Sequence, residues 1–358
     1  MTIVVGTPGE LNISNSLVEG FFAAHWTRPI ALAEPSFSRW QFAMAPSAKG
    51  LNQSIVAYDS EKRKVAGVMG LTPRPFYLAE VERSAAELTT WIVAEDYRRS
   101  GAGAKILSAI MSRYDVLIGM GISSMALPIY LRSGFRYLRA IPRFVRVLNV
   151  ECAARFGNIT PVGRKLIRFS QPIAPTYSLS DQPARDIFER MKVRLNLFSR
   201  DVDHLKWRYE THPFFAYKTF TIASCGGEAF VAVRMESAVP GLRVLHVIDC
   251  FGDEAAMPGA VSFLEDYARS VDADFCDFYS TSAYLNRFFL SAYWHSTVDD
   301  LDIQLPHLFH PVEMRDPATT SLIYWCRDSM VDMADFGRLY ISKQDADFDR
   351  PVLSAKDY

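Results

Sequence analysis

Two distant stretches of this chain of 358 residues begin alike. The first reads Ser38-Arg39-Trp40-Gln41-Phe42 and runs on to Pro46; the second reads Leu205-Lys206-Trp207-Arg208-Tyr209 and runs on to Pro213. The two tryptophans stand 167 residues apart, and the two prolines keep the same interval. The likeness extends downstream. Ser54–Tyr58 and Lys218–Ile222 read as strands, a charged or glycine-bearing turn comes next, and Val65–Leu71 and Ala229–Met235 read as second strands. Two such runs around a turn predict a β-hairpin. A strand, a helix, a strand and a short helix complete each copy. They fall at Glu87–Val93, Gly103–Tyr114, Val116–Met120 and Met125–Ser133, and again at Arg243–Cys250, Pro258–Ser270, Phe275–Tyr279 and Tyr284–Ala292. Self-similarity of this kind predicts two copies of one α/β (α+β) unit with a sheet of mixed strand direction. A chain of this length is expected to divide between two cores in any case. The units are placed at 1–150 and 186–358, joined by a linker at 151–185 that contains Pro161, Pro172, Pro175 and Pro183.

Charge narrows the partners. Lys and Arg number 39 against 40 Asp and Glu, so the net charge is -1. Neutralising phosphates along a strand needs a cationic excess, so nucleic acid is not expected as a partner. Five cysteines, at 152, 225, 250, 276 and 326, show neither metal-ligand nor redox spacing. They read as reduced thiols of a cytoplasmic protein. The first residues lack a signal-peptide pattern, and no stretch reaches membrane-spanning length. Asp345, Asp347 and Asp349 are spaced as in a calcium loop, but the required Gly and closing Glu are missing, so no metal is expected.

The segment Glu87-Leu88-Thr89-Thr90-Trp91-Ile92-Val93 ends in a polar turn, Ala94 to Ser100, then Gly101-Ala102-Gly103 and an amphipathic helix. Two glycines let backbone N–H groups converge without a Cβ in the way. The helix N-terminus adds the positive end of its dipole. Together they make a diphosphate cradle.

Arg98-x-x-Gly101-x-Gly103 resembles the Arg/Gln-x-x-Gly-x-Gly/Ala signature of GNAT acetyltransferases, and Tyr130-Leu131-Arg132-Ser133-Gly134-Phe135 resembles that family's Tyr-x-x-x-Gly-Phe motif. The resemblance implies two tandem GNAT-like domains, each a mixed, mostly antiparallel sheet flanked by helices. It implies acyl-CoA as co-substrate, with its diphosphate on the backbone of Arg98, Arg99, Ser100, Gly101, Ala102 and Gly103. A backbone N–H near Val93 would then polarise the thioester carbonyl. Tyr130 would protonate the departing thiolate, and Glu87 would deprotonate the amine. From the residues alone, Tyr130 also reads as a packed core aromatic and Glu87 as a solvated residue at a strand start. The family often carries an Asn after its fifth strand. Here that region is Met120-Gly121-Ile122-Ser123-Ser124, so any contact made by that Asn is in doubt.

The second copy keeps the strand pattern but loses the signature. Asp249, Asp253 and Glu254 stand where a diphosphate would bind, Phe289 matches Tyr130, and Tyr293-Trp294 replaces Gly134-Phe135. Acidic groups repel a diphosphate, and phenylalanine has no proton to give. The second half is therefore expected to supply the acceptor pocket, through Trp207, Arg208, Asp249 and Tyr279. His246 stands as an alternative base or as a core histidine, and Trp207 also reads as shared core. The Trp207-Arg208-Tyr209-x-x-His212-Pro213 entry and the Asp-rich end resemble acyltransferases of bacterial surface-polysaccharide biosynthesis, which acylate a nucleotide-linked amino sugar. A Fem-type aminoacyl transferase, a lysine or small-molecule N-acetyltransferase and a non-catalytic acyl-CoA sensor are the alternatives. A monomer or homodimer is expected.

Overall fold

Apolar residues on both faces make the inner strands, and polar turns end them. The computed structural model describes residues 2–351 except 27, 28, 170–174, 310, 311, 317, 331 and 347–349. In the first half the strands are Ile3–Gly6 (β1), Ile55–Asp59 (β2), Lys64–Pro73 (β3), Ala85–Val93 (β4), Val116–Met120 (β5) and Arg136–Leu138 (β6). Helices Asn15–His25 (α1), Pro35–Phe42 (α2), Ala102–Arg113 (α3) and Leu127–Arg132 (α4) pack around them. Arg143–Val147 (β7) and Ser178–Ser180 (β8) come next. The second half has Lys218–Ser224 (β9), Gly227–Val239 (β10), Leu242–Gly252 (β11), Phe275–Tyr279 (β12), His295–Ser296 (β13) and Leu322–Cys326 (β14), with helices Val202–Glu210 (α5), Met257–Ser270 (α6) and Ala283–Ser291 (α7).

These strands form two seven-stranded sheets, ordered β1-β2-β3-β4-β5-β14-β6 and β8-β9-β10-β11-β12-β7-β13, and shorter strands form small separate sheets. Within them β4 pairs parallel with β5 and β11 with β12, while the other neighbours run antiparallel. The halves exchange strands. β7 leaves the first half to lie between β12 and β13, and β14 returns from the second to lie between β5 and β6. The expected boundaries of 1–150 and 186–358 follow the chain, whereas the sheets cross them. The expected linker, 151–185, holds helices at Val150–Phe156 and Pro161–Phe169, and its β8 edges the second sheet.

Trp40 on α2 and Trp207 on α5 meet where the two copies face each other. Their rings stack 4.8 Å apart at 15°. Each indole N–H donates to the other residue's carbonyl oxygen, at 3.2 Å from Trp40 and 2.9 Å from Trp207. The match between copies holds in detail further along the chain. Gly134 (φ 86°) and Tyr293 (φ 59°) both take the left-handed conformation after α4 and α7. The ring pair Tyr130–Phe135 (5.0 Å) has its counterpart in Phe289–Trp294 (5.1 Å).

Beyond β14 the chain comes back between the halves as a tail that includes a short helical turn at Lys343–Asp345. Asp345 is delivered there to two buried arginines. It takes Arg200 by both oxygens, at 2.7 and 2.8 Å, and Arg74 at 3.2 Å. Arg200 also holds Asp249 at 3.0 Å, and Arg74 holds Glu87 at 3.2 Å. Burial opposes the charge on Arg200, but Asp249 and Asp345 outweigh it and push its pKa up. Removing one partner of a buried pair strands the other charge. Asp345→Ala is therefore expected to cost about 3–5 kcal/mol of stability, read by urea unfolding. A loss below about 1 kcal/mol, the scale of exposed pairs, would contradict this seating of the tail.

Candidate active site

In the first sheet β4 and β5 pair only from Ala85–Leu88 to Val116–Gly119, after which β4 runs on alone to Val93. A bulge opposite Gly70 interrupts the β3–β4 ladder between Leu88 and Trp91. Beyond it the Ala94 N–H donates to Ala66 (2.9 Å). Antiparallel alternation then turns the N–H groups of Val93 and Trp91 away from β3, into the space that β5 has left. The sheet thus opens a gap lined by backbone donors.

The glycine loop lies at the end of that gap. Tyr97 anchors it through its hydroxyl to Asp59 at 3.0 Å. The N–H groups of Arg98 and Ser100 are used within the loop, and that of Ala102 reaches Ser100 Oγ at 3.3 Å. The first residues of α3, among them Gly103 and Ala104, have no intrahelical acceptor by geometry. No acceptor is found among the described residues for the N–H of Arg99, Gly101 or Gly103. Gly101 takes φ 81°, which favours glycine. At Gly103 a Cβ would come within 3.2 Å of the Trp91 ring, so glycine lets α3 settle against β4. The side chains of Arg98 and Glu95 are exposed and 4.0 Å apart.

On β4, Glu87 stands across from Thr72 of β3 and is buried, not solvated. Its partner Arg74 packs its guanidinium 4.2 Å from the Phe198 ring. Glu87 lines a cavity of about 20 Å³ between the halves, with Thr72, Gln41, Trp40, Trp207, Arg208 and Gln344 among its walls. The position of Gln344 there was not legible in the sequence.

Residues 21–129 match the family model described as Acetyltransferase (GNAT) family. That stretch of the first half is similar to a GNAT acetyltransferase domain. The enzyme class that goes with it is acyl-CoA-dependent N-acyl transfer. Solved structures share the fold of both halves. A GCN5-related N-acetyltransferase from Anabaena variabilis matches with a TM-score of 0.53 at 13% identity, over 91% of this chain and 73% of that one. One from Kribbella flavida matches at 0.52 and 12%, over 92% and 73%. Saccharomyces cerevisiae N-myristoyltransferase with bound myristoyl-CoA matches at 0.50 and 10%, over 90% and 82%. No curated protein matches the chain. No described helix is long and apolar enough to cross a membrane.

Tyr130, one residue past the matched stretch, is buried. Its ring meets Trp91 edge-on at 5.2 Å, and its hydroxyl lies 4.0 Å from the Met69 sulfur. Burial raises its pKa, so it keeps its proton at neutral pH. The side chain reaches from α4, after β5, to the part of β4 that β5 no longer covers.

The second copy has the same gap, filled by the chain itself. β11 and β12 pair only from Val244–Val247 to Phe275–Phe278. The tail enters beyond that point. Tyr340 Oη accepts the Cys250 N–H at 3.1 Å and lies 2.6 Å from Asp249 and 3.0 Å from the Cys250 oxygen. Ser342 bonds Asp249 at 2.9 Å and bridges Ser280 after β12. Counting from each bulge, Cys250 stands where Trp91 stands in the GNAT half, and His246 where Glu87 stands. Asp249 and Tyr279 are fully buried and do not line the cavity, because the tail and its partners cover them. His246 Nδ1 lies 2.6 Å from Asp277 and 2.8 Å from Lys343 Nζ, away from Glu87's cavity wall. Trp207 and Arg208 do reach that cavity; Arg208 donates to the Tyr217 hydroxyl at 2.7 Å. Of the expected run Asp345, Asp347 and Asp349, the last two lie outside the described residues.

Two buried histidines set an acid limit. Burial, then Lys343, pushes the His246 pKa down to about 4 against the pull of Asp277. Burial and Arg74 push His204 well below its ordinary value. The unfolded chain takes up protons near pH 6.5 that the fold refuses, so these groups stabilise the fold above pH 6.5 and lose that contribution as pH falls towards 4. Each is expected to contribute a slope approaching about 1.4 kcal/mol per pH unit, read from urea unfolding between pH 6.5 and 4.5. A flat profile would mean the imidazoles are protonated in the folded chain.

Proposed function

We propose that this chain transfers an acyl group from acyl-CoA to the primary amine of an acceptor, by direct attack on the thioester, in the cytoplasm. The observation that carries the reading is the open β4–β5 gap. Backbone donors line it, and it leads to a helix N-terminus whose first amides have no partner among the described residues, whereas the matching gap of the second half is filled by the tail. Diphosphate oxygens would bind the amides of Arg99, Gly101 and Gly103, helped by the dipole of α3. The pantetheine arm would complete the edge of β4. The Val93 N–H would then meet the thioester oxygen and stabilise the oxyanion as the carbon becomes tetrahedral.

Glu87 is the base in this reading. The amine nitrogen bonds to the thioester carbon and its proton passes to Glu87, directly or through one water. Collapse of the intermediate breaks the C–S bond. The thiolate takes a proton from Tyr130, and amide and CoA thiol leave. Holding both substrates in one gap supplies much of the rate, since the attack becomes effectively unimolecular. For the acceptor we propose an amine on a nucleotide-linked amino sugar. The resemblance of the Trp207-Arg208-Tyr209-x-x-His212-Pro213 entry to acyltransferases of nucleotide-linked amino sugars supports this.

Thiol release from acetyl-CoA, measured with and without amino sugar nucleotides, tests the reaction. Glu87→Gln is expected to lower kcat by roughly 10²–10⁴-fold while acyl-CoA still raises the melting temperature. Tyr130→Phe should lower kcat with acyl-CoA affinity nearly intact; equal loss of both would assign Tyr130 to packing. Gly101→Val should weaken acyl-CoA binding and destabilise the chain by about 1–2 kcal/mol, and undiminished acyl-CoA binding would remove the loop from the site.

A further inference from the structure

Three buried side chains at the Glu87 cavity each carry an oxygen with no partner among the described residues: Gln41 Oε1, Thr72 Oγ1 and Gln344 Oε1. The residues are 4%, 1% and 2% exposed. A buried polar atom without a partner is costly and uncommon, and three around one small space mark a place where the missing partners arrive with a ligand. The cavity has room for about one water or one amine nitrogen.

The orientation of Gln344 is settled by its neighbour. Arg74 Nη1 at 3.1 Å and Gln344 Nε2 at 2.6 Å both converge on His204 Nε2. Arginine can only donate, so that nitrogen is the acceptor of a neutral imidazole. The amide nitrogen of Gln344 is thereby committed to His204, and Oε1 is left as an acceptor. Gln344 Oε1 accepts, Thr72 Oγ1 can accept while keeping its own proton, and with the Glu87 carboxylate beside them they call for a group that donates several N–H bonds. A primary amine does so. A carboxylate or phosphate would set its oxygens against Gln344 Oε1 and the Glu87 carboxylate, and a hydroxyl brings one proton.

We infer that Gln344, carried in by the tail, joins Gln41 and Thr72 in recognising the acceptor's primary amine, with Trp40 and Trp207 as the apolar wall. This rests on the proposed N-acyl transfer and adds the residues that select its acceptor. It also gives the second half a task in the reaction. That half seats Tyr340 and Ser342 in its own gap, Asp345 locks onto Arg200, and Gln344 is held at the cavity between these anchors. Gln344 is a specificity residue here and takes no part in proton transfer.

The test uses the full chain and two probes, methylammonium and tetramethylammonium chloride, followed by tryptophan fluorescence at constant ionic strength. Methylammonium is expected to give a saturable change, and tetramethylammonium, equally charged but without an N–H, none. Thr72→Val and Gln344→Leu should each weaken methylammonium at least tenfold, and Gln344→Glu should tighten it, while acetyl-CoA raises the melting temperature equally in all. With acetyl-CoA present, glucosamine and n-propylamine separate a sugar amine from a slender alkyl amine. A tenfold rise in KM in Thr72→Val for whichever is consumed supports the inference, and kcat should hold. Identical responses to the two ammonium ions would overturn it. So would methylammonium affinity unchanged in Thr72→Val, a near-isosteric change that answers even if Gln344→Leu does not fold. Absence of thiol release with every amine would instead sink the proposed reaction, leaving the binding result to stand separately.

Discussion

Asp345 sits between two buried arginines, Arg74 from the first half and Arg200 from the second, and each of these holds a further carboxylate, Glu87 or Asp249. The chain of charges is shut off from water, so each member depends on its neighbours to offset desolvation. Its consequences are geometric. Glu87 is fixed on its strand by Arg74, Arg74 is fixed by Asp345, and Asp345 is fixed because the tail is bound into the second sheet. The cavity beside Glu87 has the shape it has because a segment more than two hundred residues downstream is locked in place. The exchange of β7 and β14 works to the same end. Neither sheet is complete without a strand from the other half, so the two cannot drift apart without unpairing backbone.

The two copies show what one architecture does under different side chains. Each opens a gap where two parallel strands part after four paired residues. In the first, the backbone N–H groups of Trp91 and Val93 turn into the gap, and those of Gly101 and Gly103 have no acceptor among the described residues. In the second, the Cys250 amide, at the place of Trp91, is taken by the Tyr340 hydroxyl. Where the first has Glu87 facing Ile118 across the strands, the second has His246 facing Asp277. That pairing, joined by Lys343 and Arg143, binds tail and exchanged strand together instead of meeting a substrate.

Much of this was legible in the sequence. Hairpins, strands and helices followed hydrophobic period and turn chemistry, which act over a few residues. The glycine loop was legible because conformational freedom and close approach leave a mark at single positions: Gly101 in the left-handed region and Gly103 under the Trp91 ring. The matched tryptophans pointed to a repeat, and they also meet face to face. The cavity beside Glu87 was less legible. Trp207 and Arg208 were named and reach the cavity, but Gln41, Thr72 and Gln344 were not, since a Gln or Thr carries no spacing signal. Asp249 and Tyr279 were read as lining a pocket because they follow the pattern of the first copy's strand. What covers them is the tail, and its position does not follow from local pattern.

The sequence by itself determined two α/β units, a glycine loop at the head of a helix in the first and its loss in the second, because those features depend on local propensity and on residues a few positions apart. Only the tertiary structure decided that the sheets trade strands, that the tail closes one gap and furnishes a wall of the cavity beside Glu87, and that Glu87 is ion-paired and out of water. Those outcomes rest on which distant surfaces bury each other and which buried charges find a partner, and neither is encoded in any short stretch of the chain.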